Sequence, residues 1–194
     1  MKLTIPLFPL KTVLFPGGFL PLRVFEPRYL DMISSCLKND TDIGVVMIRV
    51  GSEVGKAADT HEVGTLTNID YFHRRNDGLL GVTLVGKQRF RILSRQVQSD
   101  QLILAEVELL EELPETIQVE EEYRPLVDLL KQIINQLEAP FTKFKPDYED
   151  ANWVSARLVE LLPFELQDKQ HLLTIDDARR RLQDIAVLLQ KMDI

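Results

Sequence analysis

The sequence predicts an α+β protein in which a small β-barrel or folded sheet with one helix is followed by a bundle of helices. Up to about residue 110 the chain is rich in glycine, proline and β-branched residues, and its apolar runs are short. From residue 116 the apolar residues recur every three or four positions, which is typical of amphipathic helices. Strands and helices do not alternate regularly, which argues against a doubly wound sheet. We therefore expect a β-rich domain over residues 1–115 and a helical domain over residues 116–194.

The β-rich part is predicted to hold six or more short strands and one helix. Pro21 lies inside the second strand and marks it as an edge strand or a bulge, because proline cannot donate to a sheet ladder. Pro27 opens the helix, where its missing N–H costs nothing. Asn76-Asp77-Gly78 is a turn of the type that joins hairpin strands, and Gly86 is expected to interrupt the strands around it. The predicted strands are 3–8, 19–25, 43–50, 63–72, 79–85, 89–93 and 102–110.

The part of the chain after residue 115 is predicted to hold four helices. The first begins near residue 122, because Pro125 is tolerated only within the first turn of a helix. The last is opened by Thr174-Ile175-Asp176-Asp177, which resembles a capping box with Asp in place of the usual Glu or Gln. Between these two helices we expect a loop or mobile connection over 139–150, a helix over 151–162 and a short helix over 164–173.

Composition and charge argue against several classes of protein. The net charge of −7 repels phosphate backbones on average, so bulk charge argues against nucleic-acid binding. No run of about 18 apolar residues is present, so we expect no membrane span. Prolines interrupt the apolar N-terminal stretch, so we expect no signal peptide. The one cysteine, Cys36, cannot form an internal disulfide, which suits a cytoplasmic protein.

No motif for catalysis, metal binding or nucleotide binding is complete. Residues 51–56 look like a phosphate-binding loop, but three residues rather than four separate the glycines, and Ala57 stands where Ser or Thr would hold magnesium. Cys36 lies on an apolar helical face, where cysteine is usually inert. The histidines are too far apart in sequence for a zinc site, and no Gly-x-Ser-x-Gly elbow is present. We therefore predict no catalytic, metal-binding or cofactor-binding residue.

A group of basic residues is the local feature that would suit a nucleic acid. Residues 87, 89, 91 and 95 would share one face of a strand and form a basic stripe. With aromatic residues nearby, such a stripe could bind a single-stranded nucleic acid or an acidic peptide. The alternative, which we favour, is that these residues pair with the many acidic groups of the chain. The candidate nucleic-acid-binding residues are Arg74, Arg75, Lys87 and Arg91.

The opening of the chain is unusual in composition and carries a family resemblance. Its runs PLFPL (6–10), LFPGG (14–18) and PLRVFEPRY (21–29) are similar to the start of the N-terminal domain of Lon proteases, with no gap between them. Further matches follow in order, at 44–46 (GVV), 64–65 (GT), 86–92 (GKQRFRI), 105–107 (AEV), 162–163, 170–173 and 181–182. The resemblance therefore covers essentially the whole chain.

The resemblance implies a PUA-like β-rich part, a helical bundle and a role in binding. In full-length Lon proteases this domain helps to recognise unfolded or tagged substrates and helps assembly. The 194 residues leave no room for an ATPase or a Ser–Lys peptidase, so we expect a free-standing, non-enzymatic module without a cofactor. Its partner would be an unfolded polypeptide or a dedicated protein. Among the family motif residues, Glu26, Arg28 and Arg89 are expected to form structural ion pairs.

A polypeptide-binding site would be an apolar groove where the barrel meets the helices, or an exposed sheet edge that accepts a strand. The candidate contact residues are Phe141 and Phe144 in the loop 139–150, and the adjacent pair Tyr71 and Phe72. The main alternative is an RNA-binding protein, because PUA-like folds elsewhere bind RNA. A small-molecule binder or an enzyme would need a deep pocket with convergent polar groups, and the sequence offers no such cluster.

Overall fold

The computed structural model describes residues 2–111 and 116–192, which fall into two compact units, Met1–Glu112 and Leu113–Ile194. The mixed α+β class expected from the sequence is confirmed. The described part of the first unit contains β1 (Lys2–Leu10), β2 (Phe19–Val24), α1 (Pro27–Asn39), β3 (Ile43–Val50), β4 (Asp59–Arg74), β5 (Leu80–Val97) and β6 (Ile103–Leu109). The described part of the second unit contains α2 (Arg124–Ile134), α3 (Ala151–Leu161), α4 (Leu166–Thr174) and α5 (Ala178–Lys191). It also contains 3-10 turns at Glu121–Tyr123 and Phe141–Lys143.

Five strands of the first unit close into a barrel. The neighbours around the ring are β1, β3, β4, β5 and β6, and β6 returns to pair with β1. β1 runs parallel to β3, and every other pair is antiparallel. β2 pairs only with β5, outside the ring, so the edge position expected for the strand that contains Pro21 is confirmed.

The barrel interior is filled by apolar side chains around Phe90, which is fully buried. Gly44 and Gly64 lie against its ring: a Cβ at either position would come within 2.9 Å or 2.8 Å of Phe90 Cζ. The family motifs around these three residues are therefore explained by packing. The other members of this core are Ile5, Leu7, Val46, Leu66, Ile92, Ile103, Ala105 and Val107.

A second core lies between α1 and the sheet. Met32, Ile33 and Cys36 point from α1 towards strand residues that include Val82 and Leu84. Tyr29 stacks on Phe8 with ring centroids 4.3 Å apart. The expectation that Cys36 is a core residue is confirmed, because it is only 4% exposed.

β5 is one continuous strand of 18 residues, so the prediction that Gly86 divides it in two is wrong. Gly86 exchanges hydrogen bonds with the turn before β2: Gly17 N–H donates to the Gly86 carbonyl, and Gly86 N–H donates to the Gly18 carbonyl. The Phe15 carbonyl occupies the space that a Cβ at Gly86 would need. The glycine therefore allows a close backbone approach while the strand continues.

The helices of the second unit follow the predicted order with shifted ends. α2 begins at Arg124, after the 3-10 turn at Glu121–Tyr123, and α5 begins at Ala178. The expected capping box is wrong: Asp177 caps α5 by accepting the Arg179 N–H at 2.9 Å. The Thr174 hydroxyl instead donates to the His171 carbonyl at the end of α4.

The segment 139–150 has several anchors to its own unit. It contains the 3-10 turn Phe141–Lys143, and Asp150 pairs with Gln118 in an isolated β-bridge. The Arg124 guanidinium donates to both carboxylate oxygens of Glu149 at 2.8 Å. The contacts of Glu149 and Asp150 fix the C-terminal end of the segment within the unit.

Candidate functional site

An open sheet edge is the feature of the first unit best suited to binding. β3 pairs with β4 only as far as Thr67, so residues 68–74 of β4 have β5 on one side and no strand of the described chain on the other. β2 covers the far side of β5 in this region. We call the resulting three-stranded structure the arm, and it consists of residues 19–24, 68–74 and 80–86.

The hairpin turn shows which main-chain groups face the open edge. Arg75 N–H donates to the Leu79 carbonyl at 2.9 Å, so the main chain of Arg75 faces β5. Main-chain groups alternate between the two sides of a strand in an antiparallel ladder. Phe72 and Arg74 therefore turn their N–H and C=O groups away from β5. Every residue from 70 to 78 is exposed, and no strand of the described chain pairs with this edge.

Two aromatic side chains flank this edge, one on each face of the arm. Phe72 is 54% exposed and lies opposite Val82 in the ladder, on the face that α1 packs against. Tyr71 is 55% exposed, lies on the opposite face and stacks on His73 with ring centroids 5.3 Å apart. The His73 ring sits over Gly81, its cross-strand partner. An apolar or aromatic side chain of a partner can therefore pack on Phe72 on one face or on Tyr71 on the other.

The tip of the arm carries an ordered network of charges. Asp77 accepts hydrogen bonds from Leu79 N–H at 3.1 Å and from the guanidinium groups of Arg75 and Arg23 at 3.4 and 3.5 Å. The Leu79 hydrogen bond, followed by the Arg75 hydrogen bond, holds the pKa of Asp77 below its usual range. Arg74 has no acidic partner among the described residues. It lines a shallow cavity of about 340 Å³ with residues 73 and 75–77.

The predicted basic stripe is not continuous. Arg89 is only 9% exposed, so it is a buried residue of the strand. Lys87 lies where the β4–β5 register shifts, and its ammonium contacts Asp42 at 2.7 Å. Arg95 pairs with Glu62 at 3.0 Å, whereas Arg91 is exposed on β5. The pairing of Lys87 and Arg95 follows the interpretation that we favoured from the sequence.

The aromatic candidates of the second unit are partly used in internal packing. Phe141 and Phe144 are half-buried, with ring centroids 5.9 Å apart. Phe144 also meets the edge of Trp153 at 6.1 Å and lies under the guanidinium of Arg157 at 5.3 Å. Burial lowers the pKa of Arg157, while its ion pair with Glu160 at 2.8 Å acts in the opposite direction. These two rings therefore offer less free surface than Tyr71 and Phe72.

Glu26 and Arg28 of the opening motif form a structural ion pair, with Arg28 Nε 2.9 Å from a Glu26 carboxylate oxygen. The other carboxylate oxygen of Glu26 accepts the Gly55 N–H at 2.9 Å. Arg28 is 5% exposed and donates to the carbonyls of Gln101 and Glu53. The segment 51–56, which superficially resembles a phosphate loop, is thus held by residues of the opening motif.

The described residues contain no group of three or more His, Cys, Asp or Glu side chains placed to hold a metal ion. None of the helices in the described ranges has the length and apolar character needed to cross a membrane.

A second cavity, of about 360 Å³, lies within the helical unit and is lined by Tyr123, Pro125, Leu126, Ala186, Leu189, Glu122 and Gln190.

Two elements of the surface were missed in the sequence analysis. Phe25, the last residue of the strand predicted over 19–25, lies outside β2 and is 53% exposed. The open edge of β4 was also missed, because it depends on where β3 begins to pair. The signal available in the sequence was the predicted hairpin at Asn76-Asp77-Gly78, which places Tyr71 and Phe72 near an exposed tip.

Comparison with known proteins gives a consistent set of relatives. The model of the family described as ATP-dependent protease La (LON) substrate-binding domain matches residues 4–191. The Lon protease of Cytophaga hutchinsonii is 30% identical over 97% of this chain. Lon protease 2 of Myxococcus xanthus is 26% identical over 96% of it. The chain spans about a quarter of the length of these relatives, 24% and 23% respectively.

Solved structures show the same fold. The crystal structure of the Lon N-terminal domain protein from Xanthomonas campestris superposes with a TM-score of 0.78 and 32% identity. The match covers 95% of this chain and 98% of that one. The N-terminal domain of the Mycobacterium avium complex Lon protease gives a TM-score of 0.61 at 14% identity, over 94% of this chain and 95% of that one, which shows the fold alone.

Proposed function

The chain belongs to the family of the ATP-dependent protease La (LON) substrate-binding domain, and from this premise we propose that it is a non-catalytic module that binds polypeptides. The observation that carries the proposal is the pair Tyr71 and Phe72, each more than half exposed beside an open sheet edge. Large exposed apolar side chains next to unpaired main-chain groups are the two features that a segment of unfolded polypeptide recognises.

The absence of catalysis is part of the proposal. The family model that matches almost the whole chain is that of a substrate-binding domain. The polar groups of the opening motif, Glu26 and Arg28, are engaged in holding loops of the barrel. We therefore assign these residues a structural role and assign binding to the arm.

Within the chain, Tyr71 and Phe72 are better placed for binding than Phe141 and Phe144. The first pair is more than half exposed, whereas the second pair packs on Trp153 and Arg157 through Phe144. A contact that displaced Phe144 would disturb a buried arginine, which costs stability. We therefore place the main polypeptide contact on the arm.

The test is binding of a permanently unfolded polypeptide, reduced and alkylated α-lactalbumin labelled with fluorescein, followed by anisotropy at physiological salt. We expect saturable binding by the wild-type chain. Replacing Tyr71 and Phe72 together by alanine should weaken binding by about tenfold or more, because buried aromatic anchors dominate such contacts. Labelled single-stranded RNA, measured alongside, should not bind.

Phe25→Ala is the matched control, since Phe25 is 53% exposed and lies at the end of β2, on the other side of β5 from the open edge. It removes about as much exposed aromatic surface as Phe72→Ala alone would, and it should leave binding unchanged. Equal loss in both variants would indicate a non-specific apolar effect. Unchanged binding in the double variant would remove the arm from the site, and Phe141→Ala with Phe144→Ala would then test the other pair.

A further inference from the structure

We infer that the polypeptide binds by strand addition: an extended segment pairs with the open edge of β4 at Phe72 and Arg74. The segment carries an apolar residue opposite Phe72 and an acidic residue opposite Arg74. This inference rests on the proposed polypeptide-binding function. It goes further by naming the edge, the conformation of the ligand and two of its residues.

The main-chain geometry selects an extended strand as the ligand. Phe72 and Arg74 each direct one N–H and one C=O away from β5, at the spacing that a β-strand presents. A partner strand can satisfy all of these groups, whereas a helix has no free main-chain groups along its length to offer. Exposed edges of this kind are templates for strand pairing.

The opposite edge of the arm is blocked. Pro21 lies opposite Thr83 in the β2–β5 ladder, and Thr83 lies opposite Tyr71 in the β4–β5 ladder. Because Tyr71 and Thr83 turn their main chains towards each other, Pro21 lies at a position of β2 that faces outward. Proline has no N–H there, so the outer edge of β2 lacks a donor that a strand would need. The arm therefore has one edge that can accept a strand.

The side chains at the open edge specify the ligand residues. Phe72 and Arg74 are two residues apart, so they share one face, and residues opposite them in an added strand share that face too. Phe72 is 54% exposed and would pack on an apolar side chain. Arg74, which lacks an acidic partner in the described chain, would pair with a carboxylate. The preferred segment therefore has an apolar residue and an acidic residue separated by one position.

The probe is a fluorescein-labelled nine-residue peptide, capped at both ends, in which threonine and valine alternate around a central phenylalanine and glutamate separated by one residue. Two further peptides carry N-methyl groups at alternate sets of positions. One set includes the phenylalanine and glutamate, and the other includes the residues between and beside them. In a bound strand only one set of N–H groups faces β4.

Strand addition predicts that one methylated peptide binds about tenfold or more weakly than the parent, through loss of main-chain hydrogen bonds, while the other binds like the parent. The affected set also shows whether the added strand runs antiparallel or parallel to β4. In antiparallel pairing the N–H groups of the peptide residues opposite Phe72 and Arg74 face β4. In parallel pairing the N–H groups of the residues next to them face β4. Equal affinities for the two methylated peptides would overturn strand addition.

The charge pairing is tested by exchange. Arg74→Glu should weaken binding of the parent peptide by about fivefold or more, and a peptide with lysine in place of glutamate should recover the loss. Arg91→Glu is the control, because Arg91 is exposed on β5 outside the arm and its replacement changes the net charge equally. Weakening by both variants without rescue by the lysine peptide would overturn the pairing of Arg74 with an acidic residue.

The outcomes separate this inference from the function on which it rests. Binding of unfolded α-lactalbumin that depends on Tyr71 and Phe72, with no difference between the methylated peptides, keeps polypeptide binding and overturns strand addition. Failure of the parent peptide to bind, while α-lactalbumin binds, also overturns the inference alone. Failure of both ligands overturns the inference and the function together.

Discussion

At the scale of single residues, the opening motif is held by one carboxylate with two roles. Glu26 contacts the Arg28 guanidinium through one oxygen and the Gly55 N–H through the other. Arg28 in turn reaches the carbonyls of Glu53 and Gln101 and lies over the Tyr29 ring at 4.5 Å. The motif therefore joins α1 to two loops that are distant in sequence.

Tyr29 gives this cluster a pH dependence that can be measured. Burial raises the pKa of Tyr29 from 10.0 to about 12, while the charge of Arg28 acts in the opposite direction. In the unfolded chain the phenol ionises near its ordinary pKa, so between pH 10 and 12 the unfolded state loses a proton that the folded state keeps. We expect the contribution of Tyr29 to stability to be complete below pH 10 and to be lost as the pH rises towards 12.

The measurement is urea unfolding at a series of pH values from 8 to about 11.5, comparing the wild-type chain with Tyr29→Phe. The phenylalanine keeps the stacking on Phe8 but cannot ionise. The difference in free energy of unfolding between the two proteins should change steadily above pH 10, in favour of the variant. A difference that stays constant with pH would contradict the assigned cause.

At the scale of elements, the path of β5 depends on Gly86. Residues 80–86 of β5 form the centre of the arm, and the strand then continues into the barrel. At Gly86 the turn before β2 comes close enough for two hydrogen bonds. We expect Gly86→Ala to destabilise the protein by roughly 1–3 kcal/mol, because the added methyl group would displace the Phe15 carbonyl. Urea unfolding monitored by circular dichroism measures this loss.

Gly81→Ala is the control within the same strand. The three atoms nearest to a Cβ at Gly81 all belong to the His73 ring, the first at 2.5 Å, and this side chain can rotate away. Its cost should therefore be the smaller of the two. A loss at Gly81 as large as that at Gly86 would show that the strand, and not the contact with Phe15, is sensitive to the substitution.

The start of α5 gives a second prediction at this scale. Asp177 accepts the Arg179 N–H, so Asp177→Ala should cost about 1 kcal/mol of stability, as expected for loss of an N-cap. Thr174 lies at the end of α4 and does not cap α5, so Thr174→Ala should cost less. Thermal unfolding of both variants decides the order, and a larger loss at Thr174 would favour the capping box expected from the sequence.

The sequence predicted the elements well where their signal is local. The 43–50 strand has the predicted ends, because an apolar run bounded by Asp42 and Gly51 defines it. The division of β5 at Gly86 failed, because the reason for that glycine is a contact with Phe15, distant in sequence. The open edge could not be predicted for the same reason: it exists because β3 starts to pair at Ile43 and leaves the end of β4 uncovered.

At the scale of the whole molecule, the distribution of charge favours a polypeptide over RNA as the ligand. The net charge of −7 repels a phosphate backbone, and Lys87 and Arg75, two of the basic candidates, are paired with Asp42 and Asp77. Arg74 is a single cation at the edge, which suits one carboxylate of a ligand. A repeated phosphate chain would need several such groups in a row.

Every residue assigned to the site belongs to the unit Met1–Glu112, whose closed barrel has its own apolar core. A unit with a complete core can fold alone, so the fragment of residues 1–112 should unfold cooperatively and bind unfolded α-lactalbumin with the affinity of the full chain. Circular dichroism melting and anisotropy measure the two properties. A fragment that folds but does not bind would place part of the site outside the arm. The residues 113–194, expressed alone, should not bind the polypeptide, and binding by them would move the site to the helices.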